Sequence, residues 1–394
     1  MSRVYVVGTA DTKGAELGFL AAEIRRRGAV PVIVDVGTRT PAIPVDIAAS
    51  QIARSGPDSP LLRDDRGVAV SRMAEDFAAF ITTRDDLSAI IGIGGGGGTS
   101  IVTAGMRRLP IGLPKLMVST LASGDTAPYV GGSDIVMMPA VADLAGLNVI
   151  SRMVLTRAAA AITGMADTGT SFGTGKAAIG LTMFGVTTTA VTQIIERLGP
   201  GVDAIPFHAT GTGGRTMETL VDSGLLGGVI DITTTEIADL LFGGVLPAGA
   251  DRLDCIARTK VPYVGSLGAC DMVNFWAPET MPEALRGRHI YRHNANVTLM
   301  RTTPEECRAI GAWIGDKLNA CDGPVRFLIP ERGVSALDVE GGAFWDPAAD
   351  AALFSALTDS VRWTDQRRLI RVPAHINDAA FADAAVAAFQ EITA

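Results

Sequence analysis

Five consecutive glycines, Gly94–Gly98, stand between an apolar run, Leu87–Ile93, and a helix-like segment, TSIVTAGMRRL. Such a run costs chain entropy on folding and strips a whole turn of side chains. One setting puts it to use: the turn from a buried strand into a helix. There, bare amides and the positive end of the helix dipole can face a ligand. The same pattern recurs along the chain. Val4–Val7 leads into GTADTKGAE and then the helical ELGFLAAEIRRRG, and Val30–Val36 and Lys115–Ser119 are further apolar runs. In the second half, Ala177–Phe184, Ala204–His208 and Gly228–Ile232 each precede a Gly- or Thr-rich segment and a helix. Val261–Ser266, Thr298–Met300, Val325–Pro330 and Arg368–Val372 read as additional strands.

Strands apolar on both faces, with helices between them, predict parallel sheets covered on both sides. The expected fold is α/β, with two Rossmann-like, three-layer subdomains and a cleft between them. The 394 residues suit two such units. The Gly-, Ser- and Thr-rich stretch Met165–Lys176 marks the division, into 1–174 and 175–394.

Composition narrows the function. Hydrophobic residues are 47% and charged residues 19%, which excludes a disordered chain. Lys and Arg number 34 against 42 Asp and Glu, and aromatics are 5%. No cationic excess is available to displace counterions from nucleic acid, and no stacking platform is available for bases. Cys255, Cys270, Cys307 and Cys321 form no C-x-x-C pair and read as reduced core thiols. Ala177–Ile195 has about the length of a membrane span but is broken by glycines and threonines, so it reads as strand, loop and helix start. The expectation is a cytoplasmic protein with no nucleic-acid or membrane partner.

The chemistry is expected in the loops after strands. In Gly94, Gly95, Gly96, Gly97, Gly98, Thr99 and Ser100, bare amides, a helix start and two hydroxyls suit an anion. No Walker A lysine follows, and the run is not a clean G-x-G-x-x-G. A second loop, FHATGTGGRTME, offers Gly211, Gly213 and Gly214 as amide donors and Arg215 as a cationic fork. Asp11, Thr12 and Lys13, and Ser123, Gly124, Asp125 and Thr126, form Asp-Thr loops beside them. Asp125 and Asp11 are candidate Mg²⁺ ligands, because Mg²⁺ takes one or two carboxylates and keeps its waters. The plain alternative is that each Asp caps the following turn. His208 and Glu236 are candidate base and acid, and Asp271 and Arg332 also follow strands as catalytic candidates.

GTADTKG, GGGGGTS, STLASGDTAPYVGGSDIVMM, TMFGVTTTAV, FHATGTGG, DITTTE, GACDMVNF and HNANVTLMRTT occur in that order. Together they resemble the family of the amino-terminal, ATP-binding inhibitor domain of the tomato mosaic virus resistance protein and its bacterial relatives. The resemblance covers nearly the whole chain. It implies two stacked α/β subdomains, ATP or a related nucleotide bound between or near them, and a dimer. The motif positions carry over without assigning ligand atoms, and antiviral inhibition does not transfer.

The leading expectation is therefore an ATP-like phosphate binder, an enzyme acting with Mg²⁺ on a small anionic substrate in the cleft. The first alternative is a nucleotide-independent hydrolase or C–C lyase of a small oxo-acid, working through His208 and Glu236. The second is a non-catalytic, nucleotide-regulated binding module.

Overall fold

The computed structural model describes residues 3–56, 59–62, 65–167 and 175–394. The chain separates into two compact units, Met1–Phe172 and Gly173–Ala394. Most of the expected Gly/Ser/Thr-rich division, residues 168–174, lies outside the described residues.

The first unit runs β1 (Arg3–Gly8), α1 (Ala10–Arg26), β2 (Val30–Asp35), the short α2 (Ala49–Ile52), α3 (Arg66–Ile81), β3 (Ala89–Gly94), α4 (Gly96–Met106), β4 (Lys115–Ser119), the short α5 (Ala127–Val130), β5 (Val136–Pro139) and α6 (Val149–Asp167). Its sheet has the order β2-β1-β3-β4-β5, with every pairing parallel. Alternate residues of each strand feed different cores. Val4 and Val6 pack with Leu17, Leu20 and Ile24 of α1 on one face. Tyr5 and Val7 pack with Phe77 of α3 and Val102 of α4 on the other. By length and composition α6 is apolar enough to cross a membrane, yet Val154, Leu155, Ala158, Ala159 and Ile162 bury one stripe of it against this sheet. That packing is the stronger account of its composition.

The second unit runs β6 (Ala177–Met183), α7 (Thr188–Leu198), β7 (Val202–His208), α8 (Thr212–Asp222), β8 (Gly228–Thr233), α9 (Thr235–Phe242), α10 (Asp254–Thr259), β9 (Tyr263–Gly268), β10 (Met272–Phe275), β11 (Ile290–Arg292), β12 (Thr298–Arg301), α11 (Pro304–Asn319), β13 (Val325–Pro330), α12 (Pro347–Ser360), β14 (Arg367–Val372) and α13 (Ala379–Thr393). The main sheet is parallel in the order β14-β13-β9-β8-β6-β7, and β10, β12 and β11 form a small antiparallel sheet. The stretch read as strand, loop and helix start is indeed β6, a 3₁₀ turn and α7. The sequence sets the start of α11 plainly. Thr303 caps it, Pro304 occupies its first turn, and Glu306 closes a capping box.

Both main sheets reverse strand order in the same way. The first strand of each unit has the second strand on one side and the third on the other. In open parallel sheets, loops leaving the carboxyl ends of the strands on either side of such a reversal diverge and leave a crevice. In the first unit those strands are β1 and β3. In the second they are β6 and β8.

Candidate functional site

In the first unit the β1 and β3 loops meet at the reversal. A methyl group on Gly8 would lie 3.2 Å from the Ile93 carbonyl oxygen, so the two strand ends are in contact. From there α1 and α4 point their amino termini to the same end of the sheet. Gly95 is the N-cap of α4, and Gly96 is exposed. The first-turn amides of a helix have no carbonyl of their own to pair with. Gly94 is needed by the fold, because a methyl there would sit 2.9 Å from the Gly98 backbone. Gly96 is not. A methyl there would come no nearer than 3.9 Å to any neighbouring atom, the nearest being Leu121 Cδ1.

The flanking side chains depart from the sequence reading. The Thr99 hydroxyl turns inward to Ser119 Oγ at 2.7 Å, and the Ser100 hydroxyl donates back to the Gly96 carbonyl at 3.0 Å. Neither is presented to a ligand, so the recognition left to this loop is by backbone amide. Lys13 Nζ donates to the Leu144 carbonyl, which ties its charge to the loop before α6. Thr12 pairs hydroxyls with Thr9 at 2.8 Å. Ser123, Gly124 and Asp125 lie on an exposed turn with Thr126, and Asp125 Oδ1 accepts the Ala127 amide at 3.0 Å. That is the capping alternative. Among the described residues no three His, Cys, Asp or Glu side chains gather as a metal cage.

Asp11 has a neighbour the sequence reading passed over. Asp35 ends β2 and is 1% exposed. Its Oδ1 accepts the Ala10 amide at 2.9 Å and the Gly37 amide at 2.8 Å. Burial pushes its carboxyl up, and the nearby Asp11 adds to the shift. The signal was available in the sequence: one acid at the end of an otherwise apolar run, VPVIVDVG.

In the second unit the glycine loop is closed. Gly211 sits at φ +76°, a conformation that favours glycine, and a methyl there would overlap the Pro247 carbonyl. A methyl on Gly213 would overlap the His208 carbonyl, and one on Gly214 would overlap Glu236 Oε1. These glycines admit the protein's own atoms, which corrects the reading of a second open anion loop. Glu236 is fully buried. Its Oε1 accepts Arg252 Nε at 2.6 Å, and its Oε2 accepts the Gly211 amide. Arg252 also donates to Glu218 at 2.9 Å and to Asp231 at 2.7 Å, and the Tyr263 hydroxyl donates to Asp231 at 2.9 Å. Burial disfavours the charge on Arg252, but three surrounding carboxylates outweigh it and hold the guanidinium charged. Glu236 is thus a counterion in a closed network and not a free acid or base.

His208 does not meet Glu236. It is exposed at the end of β7, with its ring edge-on to Phe184 at 5.3 Å. Arg215 is exposed on α8. At this unit's reversal the loop after β6 is joined to the end of β8 by the Thr187 and Thr233 hydroxyls, 2.8 Å apart, and Phe184 and Val186 beside them pack with Ala269, Met272, Leu299 and Phe344.

Asp271 and Arg332 fall near each other in the fold but in different surroundings. Asp271 is fully buried, accepts the Ser335 hydroxyl at 2.7 Å, and has no partner for Oδ1. Behind it, Arg301 contacts Asp350 at 2.9 Å and Asp338 at 3.5 Å. Burial and then Asp338 push Asp271 up to about 7 and Asp350 up to about 8. Arg332 is exposed on a crevice of about 650 Å³ that Asp350, Trp345 and His375 also line. His375 Nε2 lies 2.8 Å from the Ser335 carbonyl, while Nδ1 accepts the Asn377 amide. That pattern fits the neutral ring with its proton on Nε2.

Residues 2–171 match the N-terminal domain, and residues 176–393 the C-terminal domain, of the family described as "Uncharacterised protein family (UPF0261)". A UPF0261 protein of Rhizobium meliloti is 65% identical, over 100% of this chain and 99% of its own length. A UPF0261 protein of Clostridium tetani is 44% identical, over 96% of each chain. The ToMV resistance protein Tm-1(GCR237) of Solanum lycopersicum is 41% identical over 99% of this chain, which spans 56% of that longer protein. Both halves of the sequence, together with full-length relatives, thus place the chain in the UPF0261 family.

Proposed function

We propose that the first unit binds the phosphates of an ATP-like nucleotide at the amino terminus of α4. One observation carries this reading. Gly96 stands at the mouth of the strand-order reversal with room for a side chain, and the fold gives no steric reason to leave it bare. A glycine in a helix costs about 0.5–1 kcal/mol relative to alanine, so its use there argues for something that approaches the backbone from outside. Phosphate oxygens do so at helix amino termini, where amides and dipole favour negative charge. The same site would serve either an enzyme acting with Mg²⁺ on a small anion or a nucleotide-regulated module. The oxo-acid reading that relied on Glu236 gains no support, because that carboxylate is held by Arg252.

The test is thermal unfolding with and without Mg-ATP. Nucleotide at roughly a hundred times its Kd adds about 2.7 kcal/mol to stability, which reads as a rise of several degrees in Tm. Gly96→Val fills the approach and abolishes the rise. No shift at millimolar nucleotide, or a shift that Gly96→Val leaves intact, removes the proposal.

A further inference from the structure

Asp11 and Asp35 stand side by side where α1 begins. A methyl group on Gly37 would lie 2.9 Å from Asp11 Oδ1 and 2.9 Å from Asp35 Oδ1, so one oxygen of each carboxylate lies beside Gly37. Asp35 is 1% exposed, yet its Oδ2 has no hydrogen-bond partner, and neither does the buried Asp11 Oδ1. The amides of Ala10 and Gly37 satisfy only Asp35 Oδ1. Among the described residues no Lys or Arg forms an ion pair with either acid, and Lys13, two residues from Asp11, is spent on the Leu144 carbonyl. Two neighbouring acids, one of them buried and both with orphaned oxygens, call for a positive charge that the chain does not supply.

We propose that Asp11 and Asp35 together hold a divalent cation of the Mg²⁺ class, with phosphate oxygens and water completing its coordination. Mg²⁺ suits this donor set because it is bound by one or two carboxylates and keeps several waters, so no three-residue cage is needed. The position fits as well. Asp35 lies beside Gly8 in the β1–β2 pairing, and Gly8 touches Ile93 on its other side, one residue before the glycine run begins. A cation there is one strand away from the amides of α4 and can share phosphates with them. The inference deepens the phosphate reading and rests on it for the remaining ligands. It replaces the pairing of Asp11 with Asp125, whose carboxylate caps its own turn on the surface.

The experiment uses Mn²⁺ alone, followed by electron paramagnetic resonance on the full chain near neutral pH. One Mn²⁺ is expected to bind and to be displaced by Mg²⁺. Asp11→Asn weakens it at least roughly tenfold, because it removes one of two charged ligands. Without metal, Asp11→Asn raises the Tm, since it relieves the repulsion on Asp35. A purely structural Asp11 would not move both readouts in that way. Asp125→Asn leaves Mn²⁺ binding unchanged. Gly96→Val also leaves it unchanged while removing the nucleotide shift, so failure of the metal site and failure of the phosphate reading are separable. Absence of bound Mn²⁺, as when the pair merely shares a proton, overturns the proposal. Affinity indifferent to Asp11→Asn, or dependent on Asp125, overturns it equally.

Discussion

The two glycine-rich loops look alike in sequence and differ in what their glycines face. Each follows a strand and opens a helix. At Gly96 a methyl group would meet nothing closer than 3.9 Å, whereas at Gly214 it would overlap the Glu236 carboxylate. The first loop keeps space outside the backbone, and the second fills that space with a buried acid and its arginine. The rest of each unit follows suit. At the second unit's reversal the Thr187 and Thr233 hydroxyls close on each other and Phe184 packs into an apolar cluster, while Gly96 at the first unit's reversal is exposed. Glycine content alone does not separate a ligand loop from a packing loop. The atom nearest the missing Cβ does.

The largest effect that tests this contrast is on stability. Gly214→Ala must displace Glu236 from Arg252 or push α8 off the sheet. Disrupting a buried, hydrogen-bonded ion pair costs about 3–5 kcal/mol, so chemical denaturation should show a loss of that order. A loss below about 1 kcal/mol would show that the second loop has slack, and the contrast would fail.

A second effect comes from acids buried in the second unit. Burial pushes Asp239 up to about 6, Asp271 up to about 7 and Asp350 up to about 8, with Asp338 adding to the last two. The folded chain therefore keeps protons that the unfolded chain releases above the usual carboxylate range near pH 4. Stability should fall as pH rises through that window, from about 4 to about 8, because the folded chain holds protons that the unfolded chain has released. Denaturation midpoints at pH 5, 6.5 and 8, run at constant ionic strength, read this directly. A flat profile would mean that water reaches these groups well enough to hold their carboxyls at ordinary values.

The division into strands, loops and helices was legible because apolar runs and glycine stops mark it locally. Several elements were left unread, among them α3, β5, α11 and α12. α6 carries its apolar stripe without a strand beside it to frame it, and β10 and β11 are short strands, of which β10 finds its partner, β12, only beyond β11. The site was half legible. Gly94–Gly98 announced the open turn, and Asp11 was singled out, but its partner Asp35 is 24 residues away and becomes a neighbour only when β2 pairs with β1. Glu236 and Asp271 misled for a related reason. A strand-end acid looks the same whether it faces a ligand or an arginine, and Arg252 and Arg301 reach them only in the folded chain.

The smallest effect is the most discriminating, because it asks one residue to do two things at once. Gly96→Ala adds a methyl group where 3.9 Å of room exists, in the first turn of α4, without a left-handed backbone to strain. If the fold were the only constraint, alanine would be the better residue there, stabilising the chain by about 0.4–1 kcal/mol through a less flexible unfolded state. The expected outcome is that gain, or no loss, in urea denaturation without nucleotide, together with a diminished Mg-ATP shift. A destabilisation of more than about 1 kcal/mol would place Gly96 with Gly214 as a packing glycine. The open loop would then be a second instance of the closed one, and the argument for an anion at α4 would lose its footing.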